Sequence, residues 1–263
     1  MAIDGNTGIY PLLGDPIGHA RTPALYNEKF QDLGLNIVVV PMRIPPEKLA
    51  DFIHGIRGVG NVVGLGITIP HKESLVGLVD ELTDEARRCQ ATNVVRKTQD
   101  GRLIGTQMDG PGFVWSLRAA GFETAGRRAL VAGAGGTAKA IGFELAASGV
   151  SELVITNRTL SRAETLVDAI SSAFPNCRVS AMQSAADDFD LVVNATSLGM
   201  KTDDALPVDP EILAPETMVA DVVMTPARTK LLDEAERRGC AVHPGIKMLE
   251  AQFEATVEFL GLS

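Results

Sequence analysis

A glycine-rich segment in the middle of the chain carries the clearest chemical signal. A short apolar strand is predicted over 128–132 and an alanine-rich helix over 137–148, and the segment lies between them. In this context G-x-G-x-x-A is a dinucleotide-binding pattern, because the amides that open the helix can face a pyrophosphate. The alternative is a tight strand-to-helix turn without a ligand. The pattern consists of Gly133, Gly135, Gly136, Thr137 and Ala138.

The residues after the next strand favour NADP over NAD. The strand predicted over 152–156 is followed by Asn157, Arg158 and Thr159, with Arg162 one turn further on. NAD-binding sheets have an Asp or Glu here for the ribose 2′-hydroxyl, whereas a guanidinium suits a 2′-phosphate. The alternative is that these residues only cap and solvate the next helix. We expect NADP as the cofactor.

A hydride-transfer enzyme also needs a group that handles one proton. Lys72 follows a predicted strand and Pro70, which places it near a strand end. Asp109 lies where glycine and proline cluster. The alternatives are a solvated lysine at a helix start and an aspartate that caps a helix or turn. The residue types alone leave both alternatives open.

Composition limits the classes of partner. The chain has 263 residues, 45% hydrophobic and 22% charged, which is typical of a globular protein. Its net charge of −9 and the lack of a Lys/Arg run argue against nucleic acid. No apolar run reaches the roughly 18 residues of a membrane span, and the first residues lack a secretion signal. The three cysteines and four histidines show no metal-ligand spacing. We expect a cytoplasmic protein without a metal site.

Strands and helices alternate along the chain, which indicates an α/β protein with largely parallel sheets. The predicted strands cover 8–13, 36–41, 62–69, 93–97, 102–107, 128–132, 152–156, 178–181, 190–194, 218–223 and 241–243. The predicted helices cover 24–33, 45–56, 72–79, 83–89, 137–148, 160–174, 230–238 and 247–259. We expect an N-terminal α/β substrate domain (1–109 and 246–263) with a mainly parallel sheet, and a Rossmann-type NADP-binding domain (110–245), with a cleft between them.

Ordered motifs along essentially the whole chain resemble the shikimate dehydrogenase family. In the first half they are Gly14-Asp15-Pro16-Ile17-Gly18-His19 with Pro23, Thr68-Ile69-Pro70-His71-Lys72, Ala91-Thr92-Asn93 and Asp109-Gly110-Pro111-Gly112-Phe113. In the second half they are the glycine segment, Asn157-Arg158-Thr159, Asn194-Ala195-Thr196-Ser197-Leu198-Gly199-Met200, Asp221-Val222-Val223, and Gly245 with Met248-Leu249 and Gln252.

The resemblance implies roles for the matching residues. It implies that Lys72 and Asp109 form a pair beside the reacting hydroxyl. In the ketone-reducing direction Lys72 would donate a proton to the forming alkoxide while Asp109 holds its ammonium group. The residues implied to bind substrate are Thr22, Thr68, Asn93 and Gln252, and those implied to line the nicotinamide side are Thr196, Val222 and Gly245.

The sequence departs from the family at the end of the site that holds the substrate carboxylate. The family has two serines at the first turn and a tyrosine after the Asp-Val-Val strand, where this chain has Ala20, Thr22 and Met224. Alanine and methionine cannot hydrogen-bond a carboxylate usefully. Other departures are Gly66 for an asparagine and Gln107-Met108 for Asn-Thr. Arg21 is either a replacement partner for the carboxylate or a solvated turn residue.

Three functions remain in competition. The first is NADP-dependent interconversion of 3-dehydroshikimate and shikimate, or of a closely related cyclic hydroxy acid. The second is a dehydrogenase for quinate or another polyol acid. The third, from another class, is a non-catalytic module that senses NADP or a metabolite, although retention of Lys72 with Asp109 argues against it. A small-molecule substrate, a monomer or homodimer, and no nucleic-acid or membrane partner are expected.

Overall fold

The computed structural model describes residues 3–182 and 188–262. Up to Met108 its elements in chain order are β1 (Gly8–Gly14), α1 (Thr22–Asp32), β2 (Ile37–Arg43), α2 (Leu49–Ile56), β3 (Gly64–Ile67), α3 (His71–Ser74), β4 (Glu81–Leu82), α4 (Asp84–Cys89), β5 (Val94–Lys97) and β6 (Leu103–Thr106). From Asp109 onward they are α5 (Asp109–Ala119), β7 (Arg128–Ala132), α6 (Gly136–Ala147), β8 (Glu152–Thr156), α7 (Leu160–Ala173), β9 (Arg178–Met182), β10 (Leu191–Asn194), β11 (Met218–Asp221), α8 (Lys230–Arg237), β12 (Ala241–His243), α9 (Ile246–Ala251) and α10 (Phe253–Leu260).

The chain divides into two compact units. The first unit contains the residues up to Met108 and those from Gln252 onward, and the second runs Asp109–Ala251. The boundaries expected from the sequence lay after Asp109 and before residue 246. In the structure Asp109 and α9 belong to the second unit, because Asp109 begins α5 and α5 packs on both α6 and α9.

The first unit is built on a mixed sheet with the strand order β2-β1-β3-β5-β6-β4. Strand β1 runs parallel to β2 and β3, whereas β3, β5 and β6 are antiparallel neighbours. Strands β5 and β6 form a hairpin that turns at Asp100-Gly101, and Gly101 closes it with φ +83°. One face of this sheet buries a core that includes Leu13, Ile53, Leu65, Leu75, Val95 and Leu103.

The second unit is built on a fully parallel sheet with the order β12-β11-β10-β7-β8-β9. Numbered from β7, this is the order 3-2-1-4-5-6 of a doubly wound nucleotide-binding sheet. Such sheets bind ligands outside the carboxyl ends of their strands, where the strand order reverses. The reversal here lies between β7 and β10. Its core includes Leu130, Val154, Val192, Val219, Leu231 and Leu232.

Helix α5 was not predicted, because Gly110, Pro111 and Gly112 suggest a loop. Proline is tolerated in the first turn of a helix, since its missing N–H would have no intrahelical acceptor there. Gly110 allows a close approach to α6, because a Cβ at this position would collide with the carbonyl oxygen of Ala140. Packing between the two helices therefore decides the structure of a segment whose local signals favour a turn.

The prediction of a single helix over 247–259 was wrong, because the chain forms two helices that meet at Gln252. Met248 and Leu249 of α9 are buried in the second unit. Phe253 and Val257 of α10 are buried in the first unit. One apolar pattern thus serves two cores. None of the helices in the described part of the chain is long and apolar enough to span a membrane.

Candidate active site

The glycine loop joins β7 to α6 at the reversal of the strand order. Gly133 has φ +122°, and a Cβ there would lie 2.8 Å from the carbonyl oxygen of Ala195. Only glycine fits this turn without strain. Gly135 directly precedes α6, and a Cβ on it would meet no atom within 4 Å. The space beside Gly135 is therefore open for a ligand to approach the backbone.

The first turn of α6 supplies amides and a close packing contact. The first helical bond of α6 runs from the N–H of Lys139 to the carbonyl of Gly135, so the amides of Gly136, Thr137 and Ala138 lie ahead of it. Ala138 is fully buried beneath the loop. A larger residue at 138 would crowd Gly133, because Ala138 Cβ already lies 3.4 Å from the Cβ position there. These features fit a pyrophosphate on the helix N-terminus.

The residues after β8 place a guanidinium group against the same loop. Asn157 donates from Nδ2 to the carbonyl of Thr159 at 2.9 Å, and Thr159 precedes α7. The Arg162 guanidinium donates to the carbonyl of Ala134 in the glycine loop at 3.4 Å. Arg158 is exposed. No carboxylate follows β8 before Arg162, so this edge of the loop fits the extra phosphate of NADP better than a bare ribose.

Strands β10 and β11 end in a buried polar pair. Asn194 donates from Nδ2 to the Asp221 carboxylate at 2.9 Å and to the carbonyl of Leu198 at 2.8 Å. Its Oδ1 accepts from the N–H and the hydroxyl of Thr196, at 3.0 and 2.7 Å. Val222 follows Asp221 and is half-buried. The pair holds the loops that carry Thr196 and Val222.

Gly245 lies against the second of these loops. A Cβ on Gly245 would come within 2.7 Å of the backbone carbonyl of Val222. A side chain at 245 would therefore displace that loop. Of the twelve predicted cofactor residues, all belong to the second unit, and the glycine loop, Arg162, Thr196, Val222 and Gly245 lie at the carboxyl ends of its strands.

Asp109 is a buried carboxylate at the start of α5. It is 3% exposed, and its Oδ2 accepts from the hydroxyl of Thr137 at 3.3 Å. Thr137 lies in the first turn of α6, so Asp109 lies beside the glycine loop within the second unit. Because Asp109 begins α5, the alternative of an aspartate at a helix start stays open beside the functional role that the resemblance implies.

Asn93 and Gln252 form a buried amide pair in the first unit. Asn93 Nδ2 donates to Gln252 Oε1 at 3.0 Å, and both side chains are less than 10% exposed. Asn93 Oδ1 accepts from the N–H of Met108 at 2.8 Å. The fold thus joins residues 159 positions apart. Met108 is the last residue of this part of the first unit, so the pair also holds the end of that segment.

Lys72 is half-buried on the short helix α3. Its carbonyl accepts from the N–H of Thr92 at 2.9 Å, next to Asn93. His71 is fully buried, and its Nε2 lies 2.7 Å from the carbonyl oxygen of Ile44. These bonds hold a four-residue helix that has little stability of its own. Lys72 and Asn93 are thereby fixed near each other, while Asp109 belongs to the other unit.

His19 is a side chain near Lys72 to which the sequence assigned no role. Burial, together with the positive charge of Lys72, lowers the pKa of His19 below its ordinary value. A neutral imidazole is thus favoured beside the ammonium group. The motif Gly18-His19 was visible in the sequence, but its proximity to Lys72 depends on the tertiary structure.

The residues at the altered end of the predicted site lie in three places. Thr68 follows β3 and is half-buried, and its N–H donates to the carbonyl of Leu13 at 2.9 Å. Thr22 begins α1 and is half-buried, as is Ala20, whereas Arg21 is exposed. Met224 is half-buried in the second unit. No cluster of three or more metal-ligating side chains occurs among residues 3–182 and 188–262.

Comparisons with known proteins cover nearly the whole chain. Residues 12–95 match the family described as shikimate dehydrogenase substrate binding domain, and residues 117–202 match shikimate / quinate 5-dehydrogenase. The shikimate dehydrogenase (NADP(+)) of Rubrobacter xylanophilus is 43% identical over 251 residues, which cover 94% of this chain and 88% of the relative.

Two solved structures share the fold. A shikimate dehydrogenase in complex with NADP+ matches with a TM-score of 0.91 at 31% identity, covering 98% of this chain and 91% of that one. The ligand-free 5-ketofructose reductase of Gluconobacter sp. strain CHM43 matches with a TM-score of 0.85 at 31% identity, covering 98% and 94%.

Proposed function

The chain belongs to the shikimate dehydrogenase family, and from this premise we propose that it is an NADP-dependent dehydrogenase acting on a CH–OH group. Its substrate pair is 3-dehydroshikimate and shikimate, or a closely related cyclic hydroxy acid. The observation that carries the proposal is the arrangement in the first unit, where the Asn93–Gln252 amide pair lies beside the backbone that holds Lys72. Amides suit ring hydroxyls, and the ammonium suits the reacting oxygen.

When bound, NADPH would supply a hydride to the ketone carbon, and its neutral ring would become the cationic nicotinamide of NADP+. In that direction the Lys72 ammonium group donates a proton to the oxygen that becomes the alcohol. We propose that Asp109 holds this ammonium group in place. In the oxidative direction Lys72 takes up the hydroxyl proton after its ammonium group has released a proton to Asp109 or to a water molecule.

The residues of the second unit supply the cofactor site in this proposal. Gly133, Gly135 and the first turn of α6 receive the pyrophosphate, and Arg158 with Arg162 receives the 2′-phosphate. Thr196, Val222 and Gly245 line the nicotinamide side. The open space at Gly135 and the Arg162 contact with the loop support this placement.

Substitution of Lys72 tests the proposal against a non-catalytic NADP sensor. Lys72→Ala should lower kcat by about a hundredfold or more, the usual contribution of a positioned proton donor. The Kd for NADP+ should change less than about threefold, because Lys72 belongs to the other unit. Lys48→Ala, an exposed lysine, is the matched control. Undiminished turnover in Lys72→Ala, or no turnover by the wild type, would contradict the proposed chemistry.

A second candidate function concerns the substrate alone. Ala20 and Met224 stand where the family resemblance implies donors to a carboxylate, and each hydrogen bond to a charged group is worth about 1.5–3 kcal/mol. The similarity to a 5-ketofructose reductase, whose named substrate carries ketones and hydroxyls but no carboxylate, favours a neutral polyhydroxy ketone.

A substrate panel separates the two candidates. Shikimate, quinate and 5-ketofructose are compared by kcat/KM with each nucleotide, in the wild type and in the Ala20→Ser, Met224→Tyr double variant. On the altered-site hypothesis the double variant gains about tenfold or more in kcat/KM for shikimate, mostly through KM, and little for the neutral ketone. Efficient wild-type turnover of shikimate with no gain in the variant would exclude that hypothesis.

A further inference from the structure

Asp221 has a buried carboxylate in the second unit that the proposed mechanism does not use. It lies at the end of β11 and is 2% exposed. Its Oδ1 accepts from Asn194 Nδ2 and from the N–H of Val223, both at 2.9 Å. Its Oδ2 accepts from the hydroxyl of Thr229 at 2.7 Å. Three donors that face two oxygens favour the ionised form of a carboxyl group.

This charge has no cationic partner within the part of the chain that the structure describes. Burial raises the pKa of Asp221, and its three hydrogen bonds lower it only in part. Burial of an ion without a counter-ion is costly, so a structural role alone would be served as well by a neutral side chain. Asparagine would accept the same two hydrogen bonds at Oδ1 and could donate to Thr229.

Asp221 lies at the strand ends over which the nicotinamide half of a bound dinucleotide is expected to extend. The pyrophosphate site follows β7, and the arginines that favour the 2′-phosphate follow β8, on one side of the loop. The other half of the dinucleotide then extends over β10 and β11, as doubly wound sheets of this strand order arrange it. Asn194 and Asp221 are register partners at the ends of those two strands.

We propose that Asp221 is a charge-selective residue, whose buried negative charge favours the oxidised, cationic nicotinamide over the reduced, neutral one. This inference rests on the proposed NADP site. The two forms of the cofactor differ by one positive charge on the ring, and a fixed charge in a poorly solvated region acts on that difference. The carboxylate would thereby favour ketone reduction, in which the ring gains its positive charge.

The test is the ratio of the Kd for NADP+ to the Kd for NADPH. It is measured by calorimetry for both forms in the wild type and in Asp221→Asn. We expect the ratio to rise about three- to tenfold in the variant, the range that Coulomb's law gives for charges of this kind at an effective dielectric constant of about 20 or more. Asp168→Asn removes an exposed charge from α7 and should leave the ratio unchanged.

The outcomes separate this proposal from the proposed function. An equal loss of affinity for both forms, or no change for either, makes Asp221 a structural residue and overturns the inference. Failure of the wild type to bind NADP+ and NADPH refutes the cofactor site itself. Thermal unfolding shows whether Asp221→Asn is folded, and Asp221→Ser removes the same charge if it is not. A raised ratio in either folded variant supports the inference.

Discussion

His243 illustrates at the residue scale how burial determines the state of a titratable group. Its Nε2 lies 2.8 Å from the hydroxyl of Ser116, which donates in turn to the carbonyl of Phe113. Since a hydroxyl has one proton, Nε2 must be the donor to Ser116. Burial, with a smaller effect of Lys247, lowers the pKa of His243. The ring therefore joins α5 to β12 in its neutral form.

The pH dependence of stability follows from this shift. The unfolded chain binds more protons at this position than the folded protein as the pH falls through about 6.5, so protonation favours unfolding. We expect His243→Gln to be less stable than the wild type by about 1–2 kcal/mol at pH 7.5, through the lost ring packing and weakened hydrogen bond. The difference in free energy of unfolding between the two proteins should narrow at pH 5, because only the wild type loses stability through protonation of His243. Denaturant unfolding at both pH values measures it.

A matched control variant separates the effect of His243 from that of any other histidine. His54 is exposed on α2, and His54→Gln should follow the wild type at both pH values. The wild type and His243→Gln are compared by their free energies of unfolding. If the gap between the two stays constant or widens as the pH falls, His243 is not held neutral by the fold.

At the element scale, the turn from β7 to α6 combines two glycines with different requirements. Gly133 needs its glycine for a backbone reason, since its φ is positive and Ala195 lies against it. Gly135 has φ −89° and open space around the Cβ position, so the polypeptide itself tolerates a side chain there. The sequence pattern does not distinguish the two, but the tertiary structure does.

Alanine at these two positions should give opposite results. Gly133→Ala should destabilise the protein by about 1–3 kcal/mol or more, because the strained φ and the contact with Ala195 both oppose it. Gly135→Ala should keep the wild-type Tm but weaken NADP+ binding about tenfold or more, because its methyl group occupies the space that a pyrophosphate would use. Thermal unfolding and calorimetry are measured on the same preparations. Wild-type affinity in a folded Gly135→Ala protein would argue against a phosphate at this loop.

Considered as a whole, the molecule has its proposed cofactor and substrate residues on different units. All predicted cofactor residues and Asp109 belong to the second unit, whereas Lys72, Asn93 and Gln252 belong to the first. The chain passes between the units at Met108–Asp109 and at Ala251–Gln252. The first residue after each crossing is a predicted site residue, Asp109 at the first and Gln252 at the second.

This division of the residues between the two units predicts which backbone amides bound NADP+ protects from hydrogen exchange. At about 100 times its Kd, NADP+ should stabilise the folded state by about 2.7 kcal/mol. Hydrogen exchange should slow in 133–138 and 194–199, with smaller effects in the residues up to 108. Gly135→Ala at the same NADP+ concentration serves as the control and should show little protection. Protection confined to the first unit would contradict the assignment of the cofactor to the second.

The sequence by itself determined the fold class, the family and the cofactor, because these depend on local signals. Hydrophobic periodicity marked nearly every strand, and β7, β8 and β12 match their predicted bounds. The glycine spacing with Arg158 predicted an NADP-type dinucleotide site, and the named relatives confirm that cofactor class. Contiguous motifs contain this information because one strand, one turn and one helix form each of them.

Only the tertiary structure decided which distant residues meet. The Asn93–Gln252 bond, the Thr137–Asp109 bond and the location of His19 near Lys72 connect separate parts of the chain. The helical status of α5 and the break at Gln252 depend in the same way on which core each helix face joins. Local propensity is weak compared with the burial of an apolar face, so packing overrides it at these points. The surroundings of Asp221 are a similar case, since its burial and its hydrogen bond from Asn194, 27 positions away, depend on the pairing of β10 with β11.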